Sequence, residues 1–465
     1  MYIKPDKNQF CIEAFLLPFG GKLNDRNRWL VLAKLIPWDD FEDEYASQFS
    51  QTRGAPSLSF RIALGSLIIK ERLGLTDEAT VEQIEENPYL QCFLGFSEFQ
   101  SKPPFESSMM THFRKRLSSS ILEEINDTIV KKHTKKQKVN DSSDGGTLVI
   151  DATCTPADVR YPTDISLLNE ARENSEKIID TLWKLSSKDG IKPRTYRNNA
   201  RKDFLSAARS KKLTHERRRE LTSKQLNYIK RNLGTIKQFE NRDKLSTLEL
   251  HRLFVISEVY RQQLEMYTEQ KRSIADRIIS FSQPHIRPII RGKKGKSVEF
   301  GAKISAAIVD GFAFADRISF DSYNESNDLI THVEAFKKRY GKYPRRILAD
   351  QIYQTRKNRK FCKELGVEMS GKPLGRPPKA GYLDEQKERW RKNECDRVPI
   401  EGKFGQLKRK YSLSRVMAKL VTTSEAVIRI AFLVVNLEKI YLPQFFQHCF
   451  RLILNIMLKN RPLVA

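Results

Sequence analysis

The sequence predicts an α/β protein, with a mixed β-sheet that is interrupted by a long helical insertion and preceded by an all-helical region. Two short apolar runs, which end on Asp151 and Asp350, are typical of buried strands. Residues 297–320 alternate in hydrophobicity around an Asp-Gly pair, a pattern typical of a β-hairpin. Residues 164–280, between the first strand and this hairpin, carry apolar side chains at helical spacing. The predicted order is therefore strand, helical insertion, hairpin, helix, strand and helices.

Residues 1–130 are predicted to form a helical N-terminal domain. The segment SLSFRIALGSLIIKERLG has apolar residues at helical spacing and stops at Gly74, and the next helix opens with Thr76 as its cap. Helices joined by short turns are compatible with a helix-turn-helix that binds DNA ends. They are equally compatible with a bundle used for packing or dimerisation. Residues 131–146 are polar, basic and Gly-terminated, so we expect a linker there.

The helical insertion is strongly basic. From Asp189 to Arg231 it has 14 Lys or Arg residues against 4 Asp or Glu, and Arg217 and Arg218 lie in this stretch. Cations interleaved with aromatic residues fit a helical arm whose basic face lies along DNA phosphates, where affinity falls steeply with salt. A charged helix face that is merely solvated is the alternative.

The last third of the chain contains a second basic feature and a further helix. The loop SGKPLGRPPKAG is too rich in Pro and Gly for regular structure. One interpretation is that this loop inserts Arg376 into a narrow minor groove of DNA. The favoured interpretation is that the loop is a rigid basic connector. The segment VPIEGKFGQLKRKYSL is predicted to be a helix with Glu401 near its start. It completes a domain at residues 147–440, and residues 441–465 are predicted to be a C-terminal helical tail.

Composition limits the class of protein and its partner. A chain of 465 residues is long enough for two or three structural units. Lys and Arg total 83 against 57 Asp and Glu, and a formal charge of +26 indicates a polyanionic partner, most simply nucleic acid. The six cysteines never form Cys-x-x-Cys, which argues against a zinc ribbon and indicates a reducing cytoplasm. The longest apolar stretches are interrupted by charges, so we expect no membrane span and a cytoplasmic protein.

Carboxylates at strand ends are the strongest candidates for chemistry. If the strands of Asp151 and Asp350 are adjacent and parallel, both side chains emerge at the sheet edge where open α/β sheets place their sites. A buried carboxylate needs a hydrogen bond, an opposite charge or a metal, so a metal site is one interpretation and a turn or cap residue the other. Glu401 is the best candidate for a third acid, and Glu394 and Asp396 are its rivals.

Three carboxylates suit Mg²⁺ or Mn²⁺, which prefer oxygen ligands. Two such ions, about 3.5–4 Å apart, can activate a water or a 3′-hydroxyl and stabilise the leaving oxygen of a phosphodiester. Cations follow Glu401 closely, and Lys403, Lys408 and Arg409 suit a phosphate-bearing substrate. No His or Cys cluster competes for the role of metal ligand.

Three stretches of the chain resemble the DDE transposases of bacterial insertion sequences. LVIDATCTPADVRYPTD is similar to the family's first-Asp strand, RRILADQIYQTRKN to its second-Asp strand, and RVPIEGKFGQLKRKYSLSR to its third-acid helix. One large branch of the family has a Tyr-x2-Arg-x3-Glu-x6-Lys signature. Arg397, Glu401 and Lys408 fall at those spacings, whereas Glu394 stands at the Tyr position. Gln351 stands where related proteins commonly have a lysine.

This resemblance implies an RNase H-like fold and a metal site. The resemblance implies that Asp151, Asp350 and Glu401 are both the catalytic residues and the ligands of two Mg²⁺ or Mn²⁺ ions. Arg397 and Lys408 lie four residues before and seven after Glu401, and on one helix they would hold phosphates beside the scissile bond.

The function expected from the sequence is that of a DNA transposase. A metal-held water would cut the phosphodiester at the end of the insertion sequence, and the freed 3′-hydroxyl would attack target DNA. The expected partners are double-stranded DNA, as ends and as target, and a second copy of the chain in a homodimer. The expected location is the bacterial cytoplasm, on the nucleoid when bound to DNA. A nuclease of the same fold that does not join strands, and a decayed copy that only binds DNA, are the alternatives.

Overall fold

The computed structural model describes residues 1–2, 14–50, 52–137, 146–186, 191–210, 212–293, 296–375 and 383–459. The chain forms two compact units. Unit 1 comprises Met1–Pro156, Lys303–Ser319 and Tyr323–Ala465, and unit 2 comprises Ala157–Ala302 and Phe320–Ser322. The mixed α/β class is confirmed, and the predicted helical insertion lies in unit 2.

Helices outnumber strands in the part of the chain that the structure describes. The helices are, in chain order, α1 (Arg28–Leu35), α2 (Glu42–Ala46), α3 (Phe60–Leu73), α4 (Asp77–Glu86), α5 (Pro88–Leu94), α6 (Met109–Arg116), α7 (Ser119–Gln137), α8 (Asp164–Leu185), α9 (Arg197–Arg209), α10 (His215–Gln238), α11 (Thr247–Thr268), α12 (Leu329–Tyr340), α13 (Arg356–Glu364), α14 (Asp384–Lys410) and α15 (Val421–Lys459). The strands are β1 (Thr147–Pro156), β2 (Pro288–Lys293), β3 (Lys296–Val309), β4 (Phe312–Ser319), β5 (Arg346–Leu348) and β6 (Glu368–Met369).

The N-terminal helices of unit 1 begin and end where local sequence signals place them. The Ser59 hydroxyl accepts a hydrogen bond from the backbone of Ile62 at the start of α3, and Gly74 ends that helix in the left-handed conformation with a φ of 67°. The Thr76 hydroxyl caps α4 in the same way as Ser59 caps α3. Both predicted helix boundaries are confirmed. These helices belong to unit 1 together with β1, β4, β5, β6 and the second half of β3, and α3 and α7 pack against α15.

The sheet places β1 between β3 and β5, with β6 beyond β5 and with β4 paired to β3. The β1–β5 pair is parallel, with Thr147 opposite Arg346 and Val149 opposite Leu348. Strands β3 and β4 form the predicted antiparallel hairpin. Its turn needs positive φ at two successive residues, 50° at Asp310 and 76° at Gly311, which explains the Asp-Gly pair.

Helix α15 covers the β3–β4 hairpin through apolar and polar contacts. Its described side chains are buried almost continuously from Ala426 to Tyr441. The buried Asn436 side chain accepts a hydrogen bond from the Ala313 backbone at 2.8 Å and donates to the Ala313 carbonyl at 2.7 Å and to Asn126 on α7 at 2.8 Å. One amide therefore joins a strand and two helices. No helix among the described residues is long and apolar enough to cross a membrane.

Unit 2 consists of helices α8–α11 and of a short hairpin between β2 and the first residues of β3. The helices bury a common apolar core that includes Leu168, Ile179 and Ile256. Asn232 on α10 donates to the Ser175 hydroxyl on α8 inside this core. The residues predicted as a helical insertion form helices α8–α11, which have an apolar interior of their own.

Two helices extend beyond the boundaries predicted for them. Helix α7 continues to Gln137, into the segment predicted as a linker, because a polar and basic sequence is compatible with an exposed helix as well as with a loop. Helix α15 runs without interruption to Lys459, so the predicted tail at residues 441–465 begins inside a helix.

Two other boundaries place the candidate acids differently from the prediction. Strand β1 continues past Asp151 to Pro156, because Cys154 and Thr155 beyond it are buried again. Helix α14 begins at Asp384 rather than just before Glu401 and continues through Pro399. The proline removes one backbone donor but does not end the helix, so Glu401 lies well inside it.

We predict that Asn436→Leu lowers the free energy of unfolding by about 2–4 kcal/mol, because buried polar groups of Ala313 and Asn126 lose their partners at once. Urea unfolding followed by circular dichroism measures this loss. The exposed Asn327→Leu is the control, and a surface change of this kind is expected to cost less than about 0.5 kcal/mol. Equal stability of the two variants would contradict the role given to Asn436.

Candidate active site

The parallel register brings Asp151 and Asp350 to equivalent positions on neighbouring chain segments. Each follows the Val149–Leu348 pair by two residues, and both lie beyond the carboxyl-terminal end of the paired segment of β5. Asp350 directly precedes a short 3₁₀ helix at Gln351–Tyr353 and caps it by accepting a hydrogen bond from the Gln351 backbone at 2.6 Å. Asp350 is exposed, whereas the Asp151 side chain is only 18% exposed.

Burial makes the Asp151 carboxylate electrostatically unfavourable. The pKa of Asp151 is raised to about 6, first by desolvation and then by the negative charges of Asp350 and Glu325. Two contacts act in the opposite direction. The Ala152 backbone donates a hydrogen bond at 2.8 Å, and the Arg397 guanidinium lies 3.3 Å from the carboxylate. A cation at this position therefore offsets an unfavourable charge.

Arg397 connects Asp151 to the third predicted acid. Its Nη1 lies 3.3 Å from Oδ2 of Asp151, and its Nη2 lies 3.1 Å from Oε1 of Glu401, one turn further along α14. The planar guanidinium presents several donors at once and so contacts both carboxylates. Glu401 is 57% exposed and projects into solvent beside this contact. Asp151, Arg397 and Glu401 form one connected cluster, with Asp350 beside Asp151.

The donor chemistry of these carboxylates suits a hard divalent cation, because all their ligating atoms are oxygens. A bound cation would also offset the desolvation that raises the pKa of Asp151. However, the described residues contain no group of three or more His, Cys, Asp or Glu side chains placed to hold a metal ion. The cation between Asp151 and Glu401 in this structure is the Arg397 side chain.

Glu325 is a neighbour of the cluster that the sequence analysis did not identify. Its charge acts on Asp151 and, second only to burial, raises the pKa of Tyr353. Glu325 is paired with Lys303 at 3.0 Å, and both side chains are largely buried. No strand end or motif spacing marks this residue, since it begins a short 3₁₀ helix, Glu325–Asp328, in the segment that follows β4. Only the folding of that segment next to the sheet reveals its proximity.

The rival acids have other partners or positions. Asp396 lies 3.2 Å from Arg346 on β5. Glu394 is exposed on α14, about one turn before Arg397. Asp164, in unit 2, pairs with Arg277 and accepts from Gln263. Of the acids on α14 considered as third ligand, Glu401 is the one that Arg397 ties to Asp151.

The basic residues selected from the sequence occupy different environments. Lys403, which is predicted to contact a phosphate-bearing substrate, is partly buried, and desolvation together with the charge of Lys439 lowers its pKa to about 8. Lys408 is partly buried and Arg409 exposed at the end of α14. The other basic residues selected from the sequence do not lie on α14. Arg217 and Arg218 are exposed on α10 in unit 2, and Arg376 lies outside the described residues.

A buried Ser–His–Asp chain is the second polar cluster that resembles catalytic machinery. The Ser305 hydroxyl lies 2.9 Å from Nε2 of His332, whose Nδ1 contacts Asp316. Ser305 and His332 are both 0% exposed, and Arg339 forms an ion pair with Asp316 at 2.7 Å. Because no substrate reaches a fully buried hydroxyl, this chain is a structural network that connects β3 and β4 to α12.

Comparisons with known proteins match two parts of the chain. Residues 347–438 match the family described as "Transposase DDE domain", and residues 18–116 match the family described as "Transposase domain (DUF772)". A Rhizobium meliloti protein described as "Uncharacterized protein ORF8 in nfe locus" is 30% identical over 182 residues, which are 37% of this chain and 87% of that protein. No solved structure matches the chain.

We predict that Asp151→Asn stabilises the metal-free protein more at pH 8 than at pH 5. A folded-state pKa of about 6 lies above the unfolded value, so the wild type loses stability as pH rises through the interval between them, and the Asn variant does not. The difference between the two pH values is about 1 kcal/mol. Urea unfolding at both pH values, with EDTA present, measures it.

Asp321→Asn is the control for this prediction, because the Asp321 side chain is 73% exposed. Its effect is expected to stay below about 0.5 kcal/mol at either pH. A stability gain for Asp151→Asn that does not change with pH would show that burial does not penalise the charge of Asp151.

Proposed function

We propose that this chain, which belongs to the transposases with a DDE domain, cuts DNA at the ends of an insertion sequence and joins the freed ends to target DNA. One observation carries the proposal. Arg397 on α14 contacts both Asp151 and Glu401, and Asp350 follows β5 at the position equivalent to that of Asp151 on the neighbouring strand β1. Roles as helix caps or turn residues would not explain why these acids lie near one another.

We further propose that the core of unit 1 is RNase H-like. The first acid lies on β1. This strand lies between β3, which forms an antiparallel hairpin with β4, and the parallel strand β5, which precedes the second acid. The third acid follows on the later helix α14. This order supports the fold that the resemblance implies, with the helical insertion between β1 and the hairpin.

The proposed ligands of two Mg²⁺ or Mn²⁺ ions are Asp151, Asp350 and Glu401. When bound, such ions generate a nucleophilic hydroxide at neutral pH and stabilise the charge of the leaving oxygen. The residues of the chain supply the rest. The β1–β5 register aligns Asp151 and Asp350 at equivalent positions, and Arg397 connects Glu401 on α14 to Asp151.

Arg397 is proposed to have a double role. In the structure it reduces the repulsion between Asp151 and Glu401 by contacting both. The same planar set of N–H donors matches the oxygens of a phosphate group, so Arg397 is placed to donate to the DNA backbone beside the bond that is cut. Lys408, about three turns further along α14, is proposed to contact another phosphate of the same strand.

The remaining surfaces are proposed to hold DNA and a second copy of the chain. The exposed cations of unit 2, among them Arg217 and Arg218, suit the phosphate backbone of an end or a target. A homodimer is proposed because two ends of an insertion sequence must be cut and joined together.

We predict that Asp151→Asn and Glu401→Gln each reduce cleavage of the DNA end by more than about a hundredfold, since even outer-shell partners of metal sites cost up to that factor. The assay uses a labelled duplex that carries the terminal repeat flanking the gene, with Mg²⁺ or Mn²⁺. DNA binding by gel shift is expected to persist in both variants.

Asp396→Asn is the matched control on the same helix, because Asp396 pairs with Arg346 rather than with the cluster. Cleavage lost in this control but retained in Glu401→Gln would assign the third ligand to Asp396. Cleavage without joined products would favour a nuclease, and binding without cleavage under either metal would favour a decayed copy.

We also predict that Mg²⁺ and Mn²⁺ raise the unfolding midpoint of the wild type but not that of Asp151→Asn. A ligand at ten times its dissociation constant stabilises the folded state by about 1.4 kcal/mol. Thermal unfolding monitored over a metal titration at pH 8, with EDTA as the reference, measures the shift without any DNA. An equal shift in both proteins would remove Asp151 from the metal site.

A further inference from the structure

A basic groove lies in unit 1 at the carboxyl-terminal end of α14. Its volume is about 730 Å³. One wall is formed by the turn between α3 and α4 together with α6, and the other by the end of α14 and the segment that leads into α15. The groove thus joins N-terminal helices to the helix that carries Arg397 and Glu401.

The charge of the groove is strongly positive. Seven cationic side chains line it against two acids, namely Lys70, Arg114, Lys408, Arg409, Lys410, Arg415 and Lys419 against Asp77 and Glu78. Asp77 accepts two hydrogen bonds from Arg114, at 2.9 and 2.6 Å, and forms an ion pair with Lys70 at 2.9 Å. Its single negative charge is therefore already shared between two cations.

Arg409 and Lys419 are exposed cations of the groove that remain available to bind an anionic ligand. Both side chains are exposed, and neither has an acidic partner among the residues that the structure describes. Lys410 lies 3.8 Å from Glu438, at the limit of an ion pair. A row of cations on two facing walls suits an extended polyanion better than a single small anion, because its charges repeat along the chain.

The distance along α14 relates the groove to the cluster of acids. Seven residues separate Glu401 from Lys408, which corresponds to a rise of about 10.5 Å. Successive phosphates of one DNA strand advance by about 3.4 Å along the duplex axis. With α14 running along the DNA strand, Lys408 would contact a phosphate about three nucleotides from the bond that is cut beside Glu401.

We propose that this groove binds the sugar–phosphate backbone of the DNA flank, beginning about three nucleotides from the bond that is cut. The placement of the DNA rests on the proposed function, because it takes the cluster of Asp151 and Glu401 as the site of cleavage. The turn between α3 and α4 and helix α6 then contribute backbone contacts that set the register of the DNA. Contacts of this kind are independent of base sequence.

The test is the salt dependence of DNA binding in the absence of divalent ions. Each phosphate contact contributes about 0.9 to the slope of log K against log salt concentration. Arg409→Gln and Lys419→Gln are each expected to lower the magnitude of this slope by about 0.9, and the double variant by about 1.8. Fluorescence anisotropy with a random-sequence duplex and with the terminal-repeat duplex is expected to give the same reductions.

Lys360→Gln is the matched control, since Lys360 on α13 is 81% exposed and its removal changes the net charge by the same amount. A slope that is unchanged in the groove variants, or that falls equally in Lys360→Gln, would overturn the proposal. A reduction confined to the terminal-repeat duplex would also overturn it, because it would indicate base reading.

Phosphate ethylation interference locates the contact on the DNA. Interference about three nucleotides from the cleavage position in the wild type, lost in the double variant, is the expected result. If Asp151→Asn leaves cleavage intact while the slopes fall as expected, the proposed cleavage site fails and the binding groove stands. If cleavage depends on Asp151 while the slopes stay unchanged, the groove alone is wrong.

Discussion

The parallel pairing of β1 with β5 is the constraint on which the candidate site depends. It places two acids at equivalent positions, and one of them, Asp151, is largely buried. Burial removes the water that would solvate the charge of Asp151, and the neighbouring carboxylate of Asp350 adds repulsion. The raised pKa of Asp151 is the result. The contacts of Asp151 with the Ala152 backbone and with Arg397 stabilise this unfavourable negative charge.

Helix α14 supplies the positive charge that stabilises Asp151. Its Arg397 contacts Asp151 and Glu401 at once, so one side chain brings positive charge to β1 and orients an acid one turn away. Pro399 lies between these two residues inside the helix, where it removes one backbone hydrogen bond. The helix nevertheless continues to Lys410, which carries the row of cations from the acids to the basic groove.

The division into two units assigns different physical tasks to parts of one chain. Unit 1 combines the N-terminal helices with most strands of the sheet, and its buried polar contacts, such as those of Asn436, connect helices from both ends of the sequence. Unit 2 has an apolar interior of its own and exposes its cations. A basic helical segment can therefore be inserted between two strands without interrupting the burial of either.

Local signals in the sequence determined the fold class, most helices and the identity of the candidate acids. The Asp310-Gly311 turn, the end of α3 at Gly74 and the cap at Thr76 depend only on neighbouring residues, and the structure contains all three. The spacing of Arg397 from Glu401 likewise follows from one helix. Only the tertiary structure decided that β1 and β5 pair in parallel, that Arg397 reaches Asp151 across 246 positions of sequence, and that Glu325 lies near them. Those contacts join residues whose separation along the chain carries no local pattern, and burial and packing of the whole unit bring them together.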